Sequence, residues 1–317
     1  MAIVGMDGGT RAKATFQPRV LPGIPDVAIP MKGPAQVVGS GVFYMDGVGQ
    51  IRVLRPDNQP QPVATVTIQP TQEEPWFAVS PDGSRVIVGI LTFPALRPPP
   101  PGSPFASLVG PWKFDLEVSA VGGSITVLQH QETSASPDSP GRQLKPVFPI
   151  GWTPAGPVAM LPSAIGTQQG WSGGALYVLD SAGKTTQQLG GSDCSGVSVN
   201  RAGFIPCLSS SGKVEVRDSY GDVIWTPHVD GIHVLSLYLS PDGQGISDGH
   251  LVETRLLGMI TMAPEFLVQG WLDNNTVIGR TVPGGHELGD MAWISLEDPS
   301  VIHDLGFKGD FVGRLDL

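Results

Sequence analysis

One turn, written several times over, limits what this chain can become. Ala78-Val79-Ser80-Pro81-Asp82-Gly83-Ser84-Arg85-Val86-Ile87-Val88-Gly89 reads as the end of an apolar strand, a tight turn and a second apolar strand. Tyr238-Leu239-Ser240-Pro241-Asp242-Gly243 repeats it closely. Weaker copies stand at Gly151-Trp152-Thr153-Pro154-Ala155-Gly156, Ser198-Val199-Asn200-Arg201-Ala202-Gly203 and Gly270-Trp271-Leu272-Asp273-Asn274-Asn275. Val37-Val38-Gly39-Ser40-Gly41, ahead of Val42-Phe43-Tyr44-Met45, is a candidate sixth. The physics is shared in the better copies: Ser, Thr, Asn or Asp caps the turn, Pro fixes φ at its first central position, and Gly accepts positive φ.

The turns begin near residues 39, 80, 153, 200, 240 and 273, at intervals of 41, 73, 47, 40 and 33. The long interval holds a stiff polyproline excursion, Pro94–Phe105, and a Ser/Pro/Gly-rich loop, Thr133–Arg142. Without them it is one unit of about forty residues, like the rest. A second turn keeps the same period. Tyr177-Val178-Leu179-Asp180-Ser181-Ala182-Gly183 is echoed by Glu215-Val216-Arg217-Asp218-Ser219-Tyr220-Gly221, and more loosely by Ile51–Asn58 and Ile294–Pro299. Two hairpin turns per repeat make four short antiparallel strands. One such sheet cannot bury both of its faces, so the units must pack radially. The expected fold is all-β, a six-bladed β-propeller of four-stranded antiparallel blades spanning 35–317, with a Pro-rich insertion at 94–106, a Ser/Pro-rich loop at 133–143 and an N-terminal extension, 1–34, packed on or beside it.

Composition agrees. The 42 Gly and 31 Pro of 317 residues exclude a helical bundle or coiled coil, while 40% hydrophobic residues supply a sizeable core. The net charge of −10 argues against nucleic acid, whose backbone is held by clustered Lys and Arg. No apolar run approaches the roughly 20 residues of a membrane span.

Val79-Ser80-Pro81-Asp82-Gly83-Ser84-Arg85-Val86-Ile87-Val88, with Leu239-Ser240-Pro241-Asp242-Gly243, resembles the WD40-like repeats of TolB-type bacterial propellers. The resemblance covers the blades, from about residue 36 to the end, and two of the six copies match it well. It implies a six-bladed propeller, often outside the cytoplasm, acting as a protein-interaction module. Fold alone does not fix function.

Motifs that could carry chemistry have plainer readings. Gly170-Trp171-Ser172-Gly173-Gly174 has the spelling of a nucleophile elbow, but a strand pattern, Ala175–Leu179, follows where the chemistry needs a helix. His228, Asp230, His233, Asp248 and His250 match no zinc spacing and read as rim residues. Asp82, Asp180, Asp218, Asp242 and Asp273 recur because turns want them. No calcium loop, phosphate loop or dinucleotide fingerprint is present. The expectation is therefore no catalytic residue, no metal and no cofactor.

Strand ends around the channel offer Ser80, Thr153, Asn200, Ser240 and Asp273, mostly neutral, which favours a rigid binding or sensor module with a protein partner. The alternative is a propeller hydrolase or lactonase-like enzyme with a cation in its channel. Trp152 and Trp271 sit beside their turns as core residues. Trp112, Trp171 and Trp225 fall in or near loops, as candidate partner contacts or as blade-to-blade packing.

The N-terminus lacks the basic and apolar regions of an intact signal peptide, leaving a cytoplasmic protein or the soluble part of a secreted, periplasmic or membrane-tethered one, its anchor lost. The family resemblance favours the extracytoplasmic reading. Cys194 and Cys207 flank the fourth turn. A four-residue loop sets them opposite one another, in reach of a disulfide. A two-residue loop makes them diagonal neighbours, roughly 7–8 Å apart and too far for an unstrained bridge. Both readings stand, the second leaving two small buried hydrophobes.

For ring closure, Asp310–Leu317 is left over after the last blade, and its Phe311-Val312 resembles Phe77-Ala78-Val79. The expectation is that this segment fills the inner place of the first blade. The rival is Lys13–Arg19 as the outer strand of the last.

Overall fold

A computed structural model describes residues 2–315, apart from 6–8, 16–34, 57–58, 69–72, 98–106, 135–143, 163–173, 193, 197, 201, 230–236, 250 and 286. It is an all-β propeller of six antiparallel blades. The one helical turn among the described residues is Pro283–Gly285. In each blade the strand before the repeated turn lies innermost and the chain meanders outward.

Blade 1 comprises Ala35–Val38, Gly41–Met45, Gln50–Leu54 and Gln61–Thr65. Blade 2 comprises Glu73–Val79, Arg85–Thr92, Trp112–Ala120 and Ile125–Thr133. Blade 3 comprises Phe148–Thr153, Gly156–Pro162, Gly174–Leu179 and Thr185–Leu189. Blade 5 comprises Tyr238–Leu239, Gly245–Ser247, Leu251–Thr254 and Gly258–Thr261, and blade 6 Phe266–Trp271, Thr276–Thr281, Met291–Ser295 and His303–Asp304.

Blade 4 departs from the pattern. Ile205–Leu208, Val214–Arg217 and Val223–Trp225 are regular, but the inner place is held by an irregular segment, Cys194–Asn200. Among its described residues the ladder is a single bridge, Ser195 to Leu208, and a second bridge ties Gly196 to Gly174 of blade 3.

Both faces of a blade are covered, so its middle strands read as unbroken apolar runs rather than alternating ones. In Arg85–Thr92, Val86, Val88 and Ile90 join a core shared with Phe43, Ile51 and Val53 of blade 1. Ile87 and Leu91, on the other face, pack with Phe148 and Val158 of blade 3. Gly89 is small by necessity, since a Cβ there would stand 2.8 Å from Pro149 Cδ.

The Pro-rich excursion extends the middle hairpin of blade 2. Ala95–Arg97 pairs with Ser107–Val109, and the prolines from Pro98 on lie outside the described residues.

Ring closure corrects the expectation. Ala35–Val38 itself fills the inner place of blade 1, pairing with Gly41–Met45, and residues 310–315 form no ladder. The segment lies instead between blades 6 and 1, Phe311 packing on Leu272, Ile278 and Met291 and Leu315 joining the cluster around Tyr44 and Leu54. Ile3 and Ala12 from a hairpin, Ala2–Val4 with Thr10–Lys13, join that cluster too. The rival closure also fails: the outer strand of blade 6 is His303–Asp304, and Lys13 pairs with Ala2. The C-terminal segment is kept out of the sheet because a true inner strand, Ala35–Val38, short and only half-buried, already holds that place.

Candidate interaction face

All six repeated turns open onto one face of the ring, as do the outer hairpin turns, since the strands alternate in direction. The two best copies have one hydrogen-bond plan. Ser80 Oγ accepts the Arg85 N–H at 2.9 Å and donates to Asp82 Oδ1 at 2.6 Å, and Asp82 Oδ1 accepts the Ser84 N–H at 3.0 Å. Ser240 Oγ accepts the Gly245 N–H at 2.8 Å and donates to Asp242 Oδ1 at 2.6 Å, while the Gln244 N–H reaches Asp242 Oδ1 at 3.0 Å. Gly83 and Gly243 hold φ of 69° and 71°, the left-handed region the turn demands.

The outer turns use a carboxylate alone. Asp180 Oδ1 accepts from Ala182 and Lys184 N–H at 2.8 and 2.9 Å, and Asp218 Oδ1 from Tyr220 and Asp222 N–H at 2.8 and 3.0 Å. The recurring aspartates are thus occupied in shaping backbone. Hydrogen bonds from Ser80 and Ser84 hold the Asp82 carboxyl at about 2, below its ordinary 3.8.

Links between neighbouring turns stiffen the face. Asn200 Nδ2 donates to Ser240 O at 3.1 Å, and Asn274 Oδ1 accepts the Asp242 N–H at 3.2 Å. Gln187 Nε2 donates to Ser219 O at 3.1 Å. The tryptophans beside the turns brace the same seams. The Arg85 guanidinium lies over the Trp152 ring, 5.4 Å from its centre. Trp271 is buried, donates through Nε1 to Tyr238 O at 3.0 Å, and covers Gly245, whose position in blade 5 is that of Arg85 in blade 2.

The candidate contact tryptophans part company. Trp112 is buried edge-on against Phe93, 5.3 Å between ring centres, and presents nothing to a partner: its place at the head of a long strand turns it into the blade 2–3 core. Trp225 is half-buried and donates through Nε1 to Gly243 O at 3.0 Å. Trp171 lies outside the described residues, as does Ser172; the chain after them is the strand Gly174–Leu179.

Three residues that sequence reading passed over stand out on this face. Leu256 and Leu257, 88% and 67% exposed, form the tip of the outer turn of blade 5, and Tyr220, 83% exposed, occupies the corresponding turn of blade 4. Thr254 Oγ1 caps the blade 5 turn by accepting the Leu257 N–H at 3.0 Å, where the neighbouring repeats use Asp180 and Asp218. The signal was available: aligned on its cap, this turn carries Arg-Leu-Leu where the third carries Ser-Ala-Gly and the fourth Ser-Tyr-Gly. The two turns belong to one seam. Trp225 reaches Gly243, and the next residue, Gln244, receives the Arg255 N–H through its carbonyl at 2.8 Å.

Cys194 and Cys207 are bonded, their Cα atoms 5.0 Å apart. The register, Ser195 opposite Leu208, is that of the shorter loop, in which the cysteines were expected to be too distant. The ladder ends at Ser195, and the Gly190–Gly191 bend swings Cys194 back over Cys207; a Cβ on Gly190 would come 2.5 Å from Cys194 Sγ. Arg217, buried beside it, donates to Gly190 O at 2.8 Å and pairs with Glu215.

No group of three or more His, Cys, Asp or Glu able to hold a metal occurs among the described residues. Asp230, His233 and His250 lie outside them. His228 donates its backbone N–H to Glu253 Oε2 at 2.6 Å, its Nδ1 lying 2.8 Å from Oε1, and Asp248 Oδ1 accepts the Leu251 N–H at 2.9 Å. On blade 2, burial first, then Asp115 and Glu73, push the Glu117 carboxyl up.

No protein-family model and no curated protein sequence matches the chain. Solved structures do resemble it. A chain of the mitotic checkpoint complex aligns over 96% of this chain and 90% of its own length, with a TM-score of 0.51 at 13% identity. An acylaminoacyl peptidase from Pyrococcus horikoshii aligns over 86% of this chain, with a TM-score of 0.50 at 12% identity, and the aligned part is 45% of that protein. The C-terminal WD40 domain of Sif2 aligns over 92% of this chain, with a TM-score of 0.45 at 10% identity. At such identities the likeness concerns the fold. The chain is a six-bladed β-propeller.

Proposed function

We propose that this protein is a non-catalytic interaction module whose contact surface is the turn face at blades 4 and 5. The observation that carries the reading is the pair Leu256 and Leu257, exposed at the tip of a capped and braced turn, with Tyr220 exposed on the corresponding turn of the adjacent blade. Burying a leucine side chain is worth about 1.5–3 kcal/mol, and tyrosine is enriched among residues that anchor interfaces. A rigid turn presents them with little ordering cost on binding. The turn carboxylates are committed to backbone, which supports binding over chemistry. A buried disulfide supports an oxidising compartment outside the cytoplasm.

The test places a photo-crosslinking residue at Leu256 and, as a control, at exposed Val48 on the opposite face. A discrete crosslinked species from position 256 alone, abolished by Leu257→Asp, is the expected result. Equal labelling from both positions would sink the assignment.

A further inference from the structure

Five blades hold their innermost strand by a ladder, and one holds it by a covalent bond. Among the described residues, the inner segment of blade 4 has a single bridge to its own sheet, Ser195 N to Leu208 O at 3.2 Å and Leu208 N to Ser195 O at 2.9 Å. The disulfide is placed where the ladder stops. Cys207 is fully buried and Cys194 nearly so. At its other end the segment reaches the neighbouring blade, Asn200 Nδ2 donating to Ser240 O at 3.1 Å and Pro241 O at 3.3 Å. The Ser240–Gly243 turn leads into Gln244, whose carbonyl receives the Arg255 N–H beneath Leu256. A continuous run of bonds therefore joins the two sulfurs to the leucine tip.

We propose that Cys194–Cys207 is a redox latch that fixes the inner segment of blade 4 and, through Asn200, the turn beneath Leu256 and Leu257. The consequence for those leucines rests on the contact surface proposed above; the latch itself does not. A dithiol opens it by attack of a thiolate on one cysteine sulfur as the S–S bond breaks, followed by closure of the dithiol to a cyclic disulfide. Two electrons and two protons pass to the protein, leaving two thiols. Without the bond, the Cys194–Gly196 end of the segment keeps the Ser195–Leu208 bridge, the Cys194 N–H on Gly191 O and two Gly196–Gly174 hydrogen bonds among the described residues, while Asn200 still anchors the other end, and local opening becomes frequent.

The experiment is peptide-resolved hydrogen exchange on the intact protein with and without dithiothreitol, with thiol alkylation and mass measurement to confirm reduction. Reduction is expected to speed exchange at Ser195, Gly196 and Asn200 by tenfold or more, with a smaller rise across Ser240–Gly245 and none in Arg85–Thr92. The double variant Cys194→Ala/Cys207→Ala should exchange as the reduced protein does, without reductant. Alkylated protein with unchanged exchange at these amides overturns the latch. So does resistance to alkylation under native conditions, and so does a uniform rise in every blade, which would make the bond a global staple. Crosslinking from position 256 is run on both forms. Exchange that responds while position 256 captures nothing in either form removes the contact surface and keeps the latch.

Discussion

Gln269 takes the backbone N–H of Phe311 as Gln36 takes that of Val79. Gln36, on the inner strand of blade 1, donates to Phe77 O at 2.7 Å and accepts the Val79 N–H at 3.3 Å, docking the inner strand of blade 2. Gln269, on the inner strand of blade 6, accepts the Phe311 N–H at 3.0 Å and donates to Asp310 Oδ1 at 3.0 Å. The terminal segment is thus seated where a further inner strand would lie, without its ladder. Arg314 secures it by donating to Leu272 O at 2.7 Å.

Closure through this seat predicts a coupled pair. Gly270 leaves room for the Phe311 ring, and a Cβ there would stand 2.5 Å from Phe311 Cδ1. Phe311→Ala should cost about 1–3 kcal/mol, below the range for a fully buried aromatic because the ring is half-buried. Gly270→Ala should destabilise the native chain but be nearly neutral in the Phe311→Ala background. Additive losses in a denaturant double-mutant cycle would disprove the contact. Deleting 310–317 should lower Tm well beyond Phe311→Ala.

The turn chemistry predicts a pH effect with a definite sign. The Asp82 carboxyl sits at about 2 when folded against an ordinary 3.8, so its contribution is full above about 4 and is lost as pH falls toward 2. Asp82→Asn should melt below the native protein at pH 6, and the gap should close between pH 4 and 2. A gap that is constant with pH would show that the charge is immaterial.

Arg217 predicts the largest single loss from a polar residue. Its side chain is buried against Glu215, and Arg217→Ala strands that carboxylate, at a cost of about 3–5 kcal/mol. Glu215→Gln/Arg217→Met, which removes both charges, should recover most of it. Equilibrium unfolding in urea reads both. Equal losses in the two variants would mean that packing rather than charge is at stake.

A binding module without a structural ion should melt at the same temperature with and without EDTA. A fall of several degrees would point to a cation and revive the enzymatic alternative.

The blades were legible because their turns are local chemistry: Ser80, Asp82 and Gly83 act within five residues of one another, and so leave a spelling. Even Asp273 in the weakest copy accepts the Asn275 N–H at 2.8 Å. Closure was half legible. The likeness of Phe311-Val312 to an inner strand was real, but its seat depends on Gln269, over forty residues away, and on Ala35–Val38 having taken the place it was assigned. The disulfide could not be decided by counting, because Cys194 lies outside the ladder, in a turn closed by its N–H on Gly191 O, so register does not fix its distance from Cys207. Leu256 and Leu257 were missed because Thr254 replaced the aspartate that marks the other outer turns.

The seating of residues 310–315 has a mechanical consequence. Both ends of the chain meet at one seam, where, among the described residues, hydrogen bonds through side chains bridge blade 6 to residues 310–315. A pull on the C-terminal end loads that clasp before it loads any ladder, so the propeller should yield first by peeling off its tail, at low force, with all six blades still intact.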